Sequence, residues 1–125
     1  MEMNNTQKAH ELRNKLVDFG IKVIKLTKIL PKTPEGTIIT HQIIKSSTSI
    51  AANYAESMFG LTKADFIHCL NISKKETAET FNWLEILLKL NPELSSEIKP
   101  LIEESESYLR IFISSVKTAQ KNNNQ

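Results

Sequence analysis

The chain has 125 residues, of which 40% are hydrophobic and 24% are charged, and it contains only 3 glycines and 4 prolines. This length permits one domain with a single hydrophobic core, and the scarcity of turn-forming residues excludes a many-stranded fold. The formal net charge is +2, so bulk charge makes no case for a nucleic-acid or membrane partner. The composition therefore predicts one helical domain.

The compartment is indicated by the cysteine content and by the hydropathy pattern. Cys69 is the only cysteine, which excludes an intrachain disulfide and a multi-cysteine metal site. No N-terminal run is apolar enough for a signal peptide, and none approaches the ~20 residues of a membrane span. We therefore expect a soluble, cytoplasmic protein without membrane contact.

Apolar residues recur at alternating spacings of 4 and 3 along the first helical segment, at Leu12, Leu16, Phe19, Val23, Leu26 and Leu30. This spacing is typical of one face of an amphipathic helix. A second apolar strip lies on the other side of the same helix, among lysines, at Val17, Ile21 and Ile24. Pro31, Pro34 and Gly36 predict the end of this helix and the first connection.

The second helix is predicted from about Thr37 to Met58, and Thr62 predicts the start of the third helix because its hydroxyl can accept from a first-turn amide. One face of the third helix carries Phe66, Leu70, Ser73, Thr77, Thr80, Leu84 and Leu87. Its far side carries Ile72, Glu76, Glu79, Trp83, Ile86 and Leu90. Second apolar strips on two helices predict a subunit interface, formed by Val17, Ile21, Ile24, Ile72, Trp83 and Ile86.

Asn91 and Pro92 end the third helix, and Ser95 or Ser96 predicts the cap of a fourth, with Pro100 in its first turn. Four long helices with short links predict an all-α, up-and-down antiparallel four-helix bundle over residues 8–118. Residues 1–7 are predicted to be a flexible N-terminus. Residues 119–125 are predicted to be a disordered polar tail.

Polar residues interrupt the otherwise apolar helices. Asn53 and Glu56 lie one turn apart on the second helix, and buried polar groups need hydrogen-bond partners. Candidate partners lie on the third helix. We therefore predict a structural polar network of Asn53, Glu56, Lys75, Glu76, Glu79 and Thr80.

The charges are unevenly distributed. Residues 8–32 hold seven bases and two acids, a net charge of +5, whereas residues 76–106 hold two bases and eight acids, a net charge of −6. A basic surface of this kind can contact phosphates, although a solvated polar face with snorkelling lysines is the alternative interpretation. The candidate nucleic-acid-binding residues are Lys8, Lys15, Lys22, Lys25, Lys28 and Lys32.

No catalytic residue, metal site or cofactor is predicted. Asp65 and His68 form a single Asp-x-x-His pair, whereas a carboxylate-bridged bundle site needs two Glu-x-x-His motifs and further carboxylates. No cleft of the kind that acid–base catalysis needs is predicted around Glu56, Glu76 and Glu79. Cys69 is interpreted as an inert buried thiol, and Trp83 as a core or interface residue rather than a base-stacking one. The chain is therefore interpreted as non-enzymatic.

Three segments occur in one order: STSIAANYAE at 47–56, TKADFIH at 62–68 and KETAETFNWL at 75–84. Together they resemble the small four-helix-bundle proteins related to those encoded in intervening sequences of bacterial 23S ribosomal RNA genes. The resemblance implies a homopentamer. Because these proteins are similar to the accessory bundle protein of diversity-generating retroelements, it also implies RNA, DNA or a reverse transcriptase as partner. A protein-binding adaptor without nucleic-acid contact and a metal-binding bundle remain alternatives.

Overall fold

The computed structural model describes residues 3–60 and 62–123, with side chains through residue 122. Four α-helices account for nearly all of these residues: α1 (Asn5–Ile29), α2 (Pro34–Met58), α3 (Lys63–Leu90) and α4 (Ser95–Asn123). A short 3₁₀ turn, Pro92–Leu94, leads into α4. No helix within the described ranges is long and apolar enough to cross a membrane.

Consecutive helices pack side by side, and α4 returns to lie along α1. In the described residues no Cα atom of α1 lies within 8 Å of one of α3, so these two helices are diagonal in the bundle. Two side-chain pairs fix the antiparallel register: Ser46 of α2 with Thr80 of α3, and Lys22 of α1 with Glu104 of α4. The prediction of an all-α, up-and-down four-helix bundle is confirmed.

Side-chain caps set the starts of the first three helices. Asn4 Oδ1 accepts from Gln7 N at 2.8 Å, and Gln7 Oε1 accepts from Asn4 N at 2.9 Å, so α1 begins inside the segment predicted to be flexible. Thr33 Oγ1 accepts from the amide of Gly36, and α2 begins at Pro34 rather than Thr37 because proline is tolerated in a first turn. Thr62 caps α3 as predicted.

The fourth helix differs from its prediction at both ends. It starts directly after the 3₁₀ turn, so Pro100 lies inside the helix rather than in its first turn. The helix continues to Asn123 because Ala119 extends the spacing of Phe112 and Val116 and is itself buried. Residues 124 and 125 of the predicted tail, like residues 1 and 2 of the predicted flexible N-terminus, lie outside the described residues.

The bundle interior is apolar between most helices and hydroxyl-rich between α2 and α3. Side chains of all four helices that are at most 1% exposed include Leu16, Phe19, Ile43, Ile50, Leu70, Leu84, Ile98 and Phe112. Ser46, Ser73 and Thr80 are buried to the same degree. Ser73 Oγ donates across the α2–α3 boundary to the carbonyl oxygen of Ile50 at 3.2 Å. Buried hydroxyls are thus paired, as their desolvation requires.

Candidate functional site

The six lysines predicted to bind nucleic acid are all exposed, but they do not form one uniform patch. Lys15 Nζ lies 3.3 Å from Glu11 Oε1 on the same helix. Lys22 Nζ lies 3.1 Å from Glu104 Oε1 of α4. Lys8, Lys25, Lys28 and Lys32 form no ion pair within residues 3–60 and 62–122.

The antiparallel contact of α1 with α4 explains these pairs, because it brings the start of the acidic α4 against the lysines of α1. Lys22 and Lys25 share the wall of a groove with Glu97 and Glu104. Tyr108 donates a hydrogen bond to Glu104 Oε2, and burial together with this bond raises the pKa of Tyr108. This edge of the bundle therefore carries both signs of charge.

A cleft of about 590 Å³ opens between the end of α1 and the start of α2. It holds three basic side chains and no carboxylate; its lining is Thr27, Leu30, Pro31, Lys32, Gly36, Thr37, Thr40, His41, Ile44 and Lys45. Of the predicted lysines, only Lys32 lines it. The sequence pattern does not single out His41 or Lys45. One feature of the sequence does indicate a basic region here: between Asp18 and Glu56 the only acidic residue is Glu35.

The polar groups of this α1–α2 cleft differ in how far their hydrogen bonds are satisfied. Thr27 Oγ1 donates to Ile24 O at 2.6 Å, and Thr37 Oγ1 donates to Thr33 O at 3.1 Å. Thr40 Oγ1 has no hydrogen bond to the described residues, and Lys45 has no ion pair there. The cleft thus retains cationic and hydroxyl groups that a ligand can use.

The residues of the predicted interface are only partly covered by their own protomer. Ile21 is 45% exposed, whereas Val17, Ile24, Ile72, Trp83 and Ile86 are half-buried. Val17, Trp83 and Ile86 pack against the core from its edge. Trp83 Nε1 is buried without a hydrogen-bond acceptor among the described residues, which is a costly arrangement for an N–H donor.

The predicted polar network has different partners from those expected. Asn53 Nδ2 donates to the Ser49 carbonyl of its own helix at 2.8 Å, and Glu56 is exposed. Thr80 Oγ1 and Ser46 Oγ lie 2.8 Å apart and share a hydrogen bond in which either hydroxyl can donate, and each also has a carbonyl acceptor on its own helix, Glu76 O and Ile43 O respectively. No side-chain hydrogen bond joins Asn53 or Glu56 to α3 in the described residues.

The remaining predicted members, Lys75, Glu76 and Glu79, lie close to one another on α3. Burial raises the pKa of the Glu76 carboxyl, and the charge of Glu79 raises it further, while Lys75 and Lys45 lower it. This cluster carries partly opposing charges at the α2–α3 boundary.

A shallow cavity near the α2–α3 connection brings together Glu56, Asp65, His68 and Cys69. Across the described ranges no group of three or more His, Cys, Asp or Glu residues is arranged to hold a metal ion. Burial, followed by the charges of Glu56 and Asp65, raises the pKa of the Cys69 thiol. The thiol is therefore disfavoured as a nucleophile, because its reactive thiolate form is suppressed.

These features define a small four-helix bundle with a basic cleft and partly exposed apolar strips on two diagonal helices. The family model described as "23S rRNA-intervening sequence protein" matches residues 5–114, and the chain belongs to this family. No curated protein sequence is significantly similar to it.

The structure is similar to the crystal structure of a protein of unknown function from the S23 ribosomal protein family of Bacteroides thetaiotaomicron VPI-5482. The TM-score is 0.78 at 31% sequence identity, and the match covers 88% of this chain and 98% of that chain. The family and its fold are thus established together.

Proposed function

We propose that this protein is a non-enzymatic, homo-oligomeric scaffold that acts in the cytoplasm as a pentamer. We further propose that it contacts RNA or DNA, or a nucleic-acid enzyme such as a reverse transcriptase, through its basic surface. The observation that carries the proposal is the pair of apolar strips on α1 and α3 that the protomer covers only in part. Partly exposed apolar strips of this kind mark interaction surfaces on soluble proteins.

The positions of the strips favour a ring over a two-fold dimer. The strip on α1 and the strip on α3 belong to diagonal helices whose backbones are not adjacent. If the α1 strip of one subunit packs on the α3 strip of the next, the contact is heterologous and a closed rotation produces a ring. The exposed side chains of Ile38 and Leu90, 62% and 52% accessible, add apolar area on α2 and α3. The number five comes from the family resemblance.

The nucleic-acid contact is supported by lysines that lack carboxylate partners. Lys25, Lys28 and Lys32 are exposed and form no ion pair with the described residues. A ring repeats this surface in every subunit, and repetition converts weak phosphate contacts into appreciable, salt-sensitive affinity. Such binding is directed at the backbone, because no base-reading motif accompanies the lysines.

Sedimentation analysis of two matched variants tests the assembly. We expect the wild-type protein at micromolar concentration to have about five times the 14.2 kDa mass of one chain. Ile21→Glu places a charge in the α1 strip and should release monomers, whereas Ile113→Glu, at a position of α4 with comparable exposure, should leave the assembly intact. A wild-type monomer, or equal behaviour of the two variants, would refute this arrangement.

The same variants test the nucleic-acid contact. Wild type should retard a labelled RNA at low salt and release it at high salt, and Ile21→Glu should bind it far more weakly although it keeps every lysine. Ile113→Glu should behave like wild type. Assembly without any RNA or DNA binding would favour the protein-binding adaptor instead.

A further inference from the structure

We propose that the α1–α2 cleft seats one nucleotide of a single-stranded polynucleotide, with its phosphate on Lys32 and Lys45 and its base against the apolar floor. This inference deepens the proposed nucleic-acid contact and rests on it. It moves the point of contact away from the lysine edge along α4 and adds two residues, His41 and Lys45, that lie outside the basic first helix.

Charge selects an anionic ligand for this cleft. Lys32 in the α1–α2 connection and His41 and Lys45, one turn apart on α2, line one cavity, and no Asp or Glu lines it. Lys45 also lies near enough to Glu76 to lower the pKa of that carboxyl, so it sits between the cleft and one acidic neighbour. Lys22, in contrast, is already held by Glu104 at the α1–α4 edge. A phosphate therefore meets less carboxylate repulsion in the cleft than along that edge.

The volume of the cleft and its apolar lining favour a nucleotide over a bare phosphate as the ligand. Its volume of about 590 Å³ lies within the range of pockets that hold small organic ligands. Leu30, Pro31 and Ile44 supply apolar surface, and the imidazole of His41 supplies a planar ring on which a base can stack. Thr40 Oγ1, which is free of hydrogen bonds to the described residues, offers a donor or acceptor for the sugar or base edge.

Two amides at the start of α2 are not available to a phosphate, which favours the lysine side chains as its contacts. The amide of Gly36 donates to Thr33 Oγ1 at 3.0 Å, and the amide of Thr37 donates to Thr33 O at 3.0 Å. These first-turn donors are therefore committed within the chain. The consequence is that substitution of the lysines should affect binding directly.

The ligand must also be single-stranded where it enters. A base inside a duplex is stacked and paired, so it cannot reach the cleft floor without being extruded at a cost of a few kcal/mol. An unpaired strand can present its bases to a pocket at little cost. We therefore expect a short oligouridylate to bind more tightly than a duplex of equal length.

Fluorescence anisotropy with a labelled oligouridylate at low salt tests the site on the full-length protein. Lys45→Glu should weaken binding about tenfold or more and reduce the salt dependence, because it replaces a phosphate contact with repulsion. Lys117→Glu is the matched control: it makes the same charge change at an exposed lysine of α4 that lies outside both the cleft and the candidate nucleic-acid-binding residues. His41→Ala should also weaken binding, without altering the charge of the lysines.

The outcomes separate this site from the proposed function. If wild type binds no polynucleotide, both this site and the proposed contact with RNA or DNA are overturned. If wild type binds but Lys117→Glu weakens binding as much as Lys45→Glu, or if duplex binds as well as single strand, the cleft is not the site and the general basic surface remains. Unchanged circular dichroism and sedimentation for each variant ensure that lost binding reflects the cleft and not the fold.

Discussion

Gly20 and Gly36 both lie in helices, but they differ in the space available for a side chain. A Cβ added at Gly20 would lie 3.5 Å from the carbonyl oxygen of Ser47, which is ordinary van der Waals contact. A Cβ added at Gly36 would lie 2.9 Å from Thr33 Oγ1, the atom that caps α2, and 3.0 Å from the Pro31 carbonyl oxygen. Alanine therefore fits the α1–α2 contact at Gly20 but not the start of α2 at Gly36.

We predict opposite effects for the two alanine substitutions. Gly20→Ala should raise the free energy of unfolding by about 0.5 to 1 kcal/mol, because alanine restricts the unfolded chain and favours helix. Gly36→Ala should lower it, because Thr33 must move and the cap it provides is worth about 1 kcal/mol. Urea denaturation at one fixed protein concentration measures both values. Destabilisation by Gly20→Ala would show that α1 and α2 cannot accommodate a methyl group there.

The contact between α2 and α3 depends on buried hydroxyls as well as apolar packing. Ser46 and Thr80 are at most 1% exposed, and their hydroxyls form a hydrogen bond between the two helices. Thr77, equally buried, instead donates to the Ser73 carbonyl of its own helix at 2.7 Å. The first bond joins two elements, whereas the second is internal to one of them.

A double-mutant cycle should detect this difference. Thr80→Val leaves the Ser46 hydroxyl without its interhelical partner and should cost about 1 kcal/mol of stability. Combined with Ser46→Ala, the loss should fall short of the sum of the single losses by about 0.5 to 1.5 kcal/mol. The control cycle of Ser46→Ala with Thr77→Val should be close to additive. Equal coupling in both cycles would mean that general repacking, and not the hydrogen bond, connects the helices.

The fold brings the basic first helix and the acidic start of α4 next to each other. Residues 8–32 are strongly basic and the start of α4 is acidic, yet the antiparallel return of α4 sets Glu104 against Lys22. An exposed ion pair of this kind contributes little to stability. The ion pair instead changes the surface potential, because Glu104 neutralises a lysine at the α1–α4 edge. The α1–α2 side is therefore the more uniformly basic side of the bundle.

Assembly, if it covers the apolar strips, must also stabilise the fold by mass action. We predict that the thermal unfolding midpoint of the wild-type protein rises with protein concentration, because an associated folded state is favoured over unfolded monomers as concentration increases. Ile21→Glu should show a midpoint that does not depend on concentration. A wild-type midpoint independent of concentration across the micromolar range would argue against subunit association.

Local rules account for the features that were predicted correctly. The spacing from Leu16 to Leu30 and the cap at Thr62 are properties of neighbouring residues, so the helices and their amphipathic faces follow from sequence. The boundary errors at Pro34 and near residue 118 arise because a proline can begin a helix as well as end one, and because a polar composition does not exclude helix when Ala119 is buried.

The partners of polar side chains could not be predicted in the same way. Asn53 satisfies its amide on the carbonyl four residues earlier, a choice that competes with any contact across helices and depends on atomic distances. Likewise, the cleft forms only where the end of α1, which supplies Thr27, packs beside the face of α2 that carries His41 and Lys45. The sequence by itself determined four amphipathic helices, since their periodicity and caps are local. Only the tertiary structure decided which charges neutralise each other and where a basic cleft remains, because those depend on side-chain proximity across the bundle.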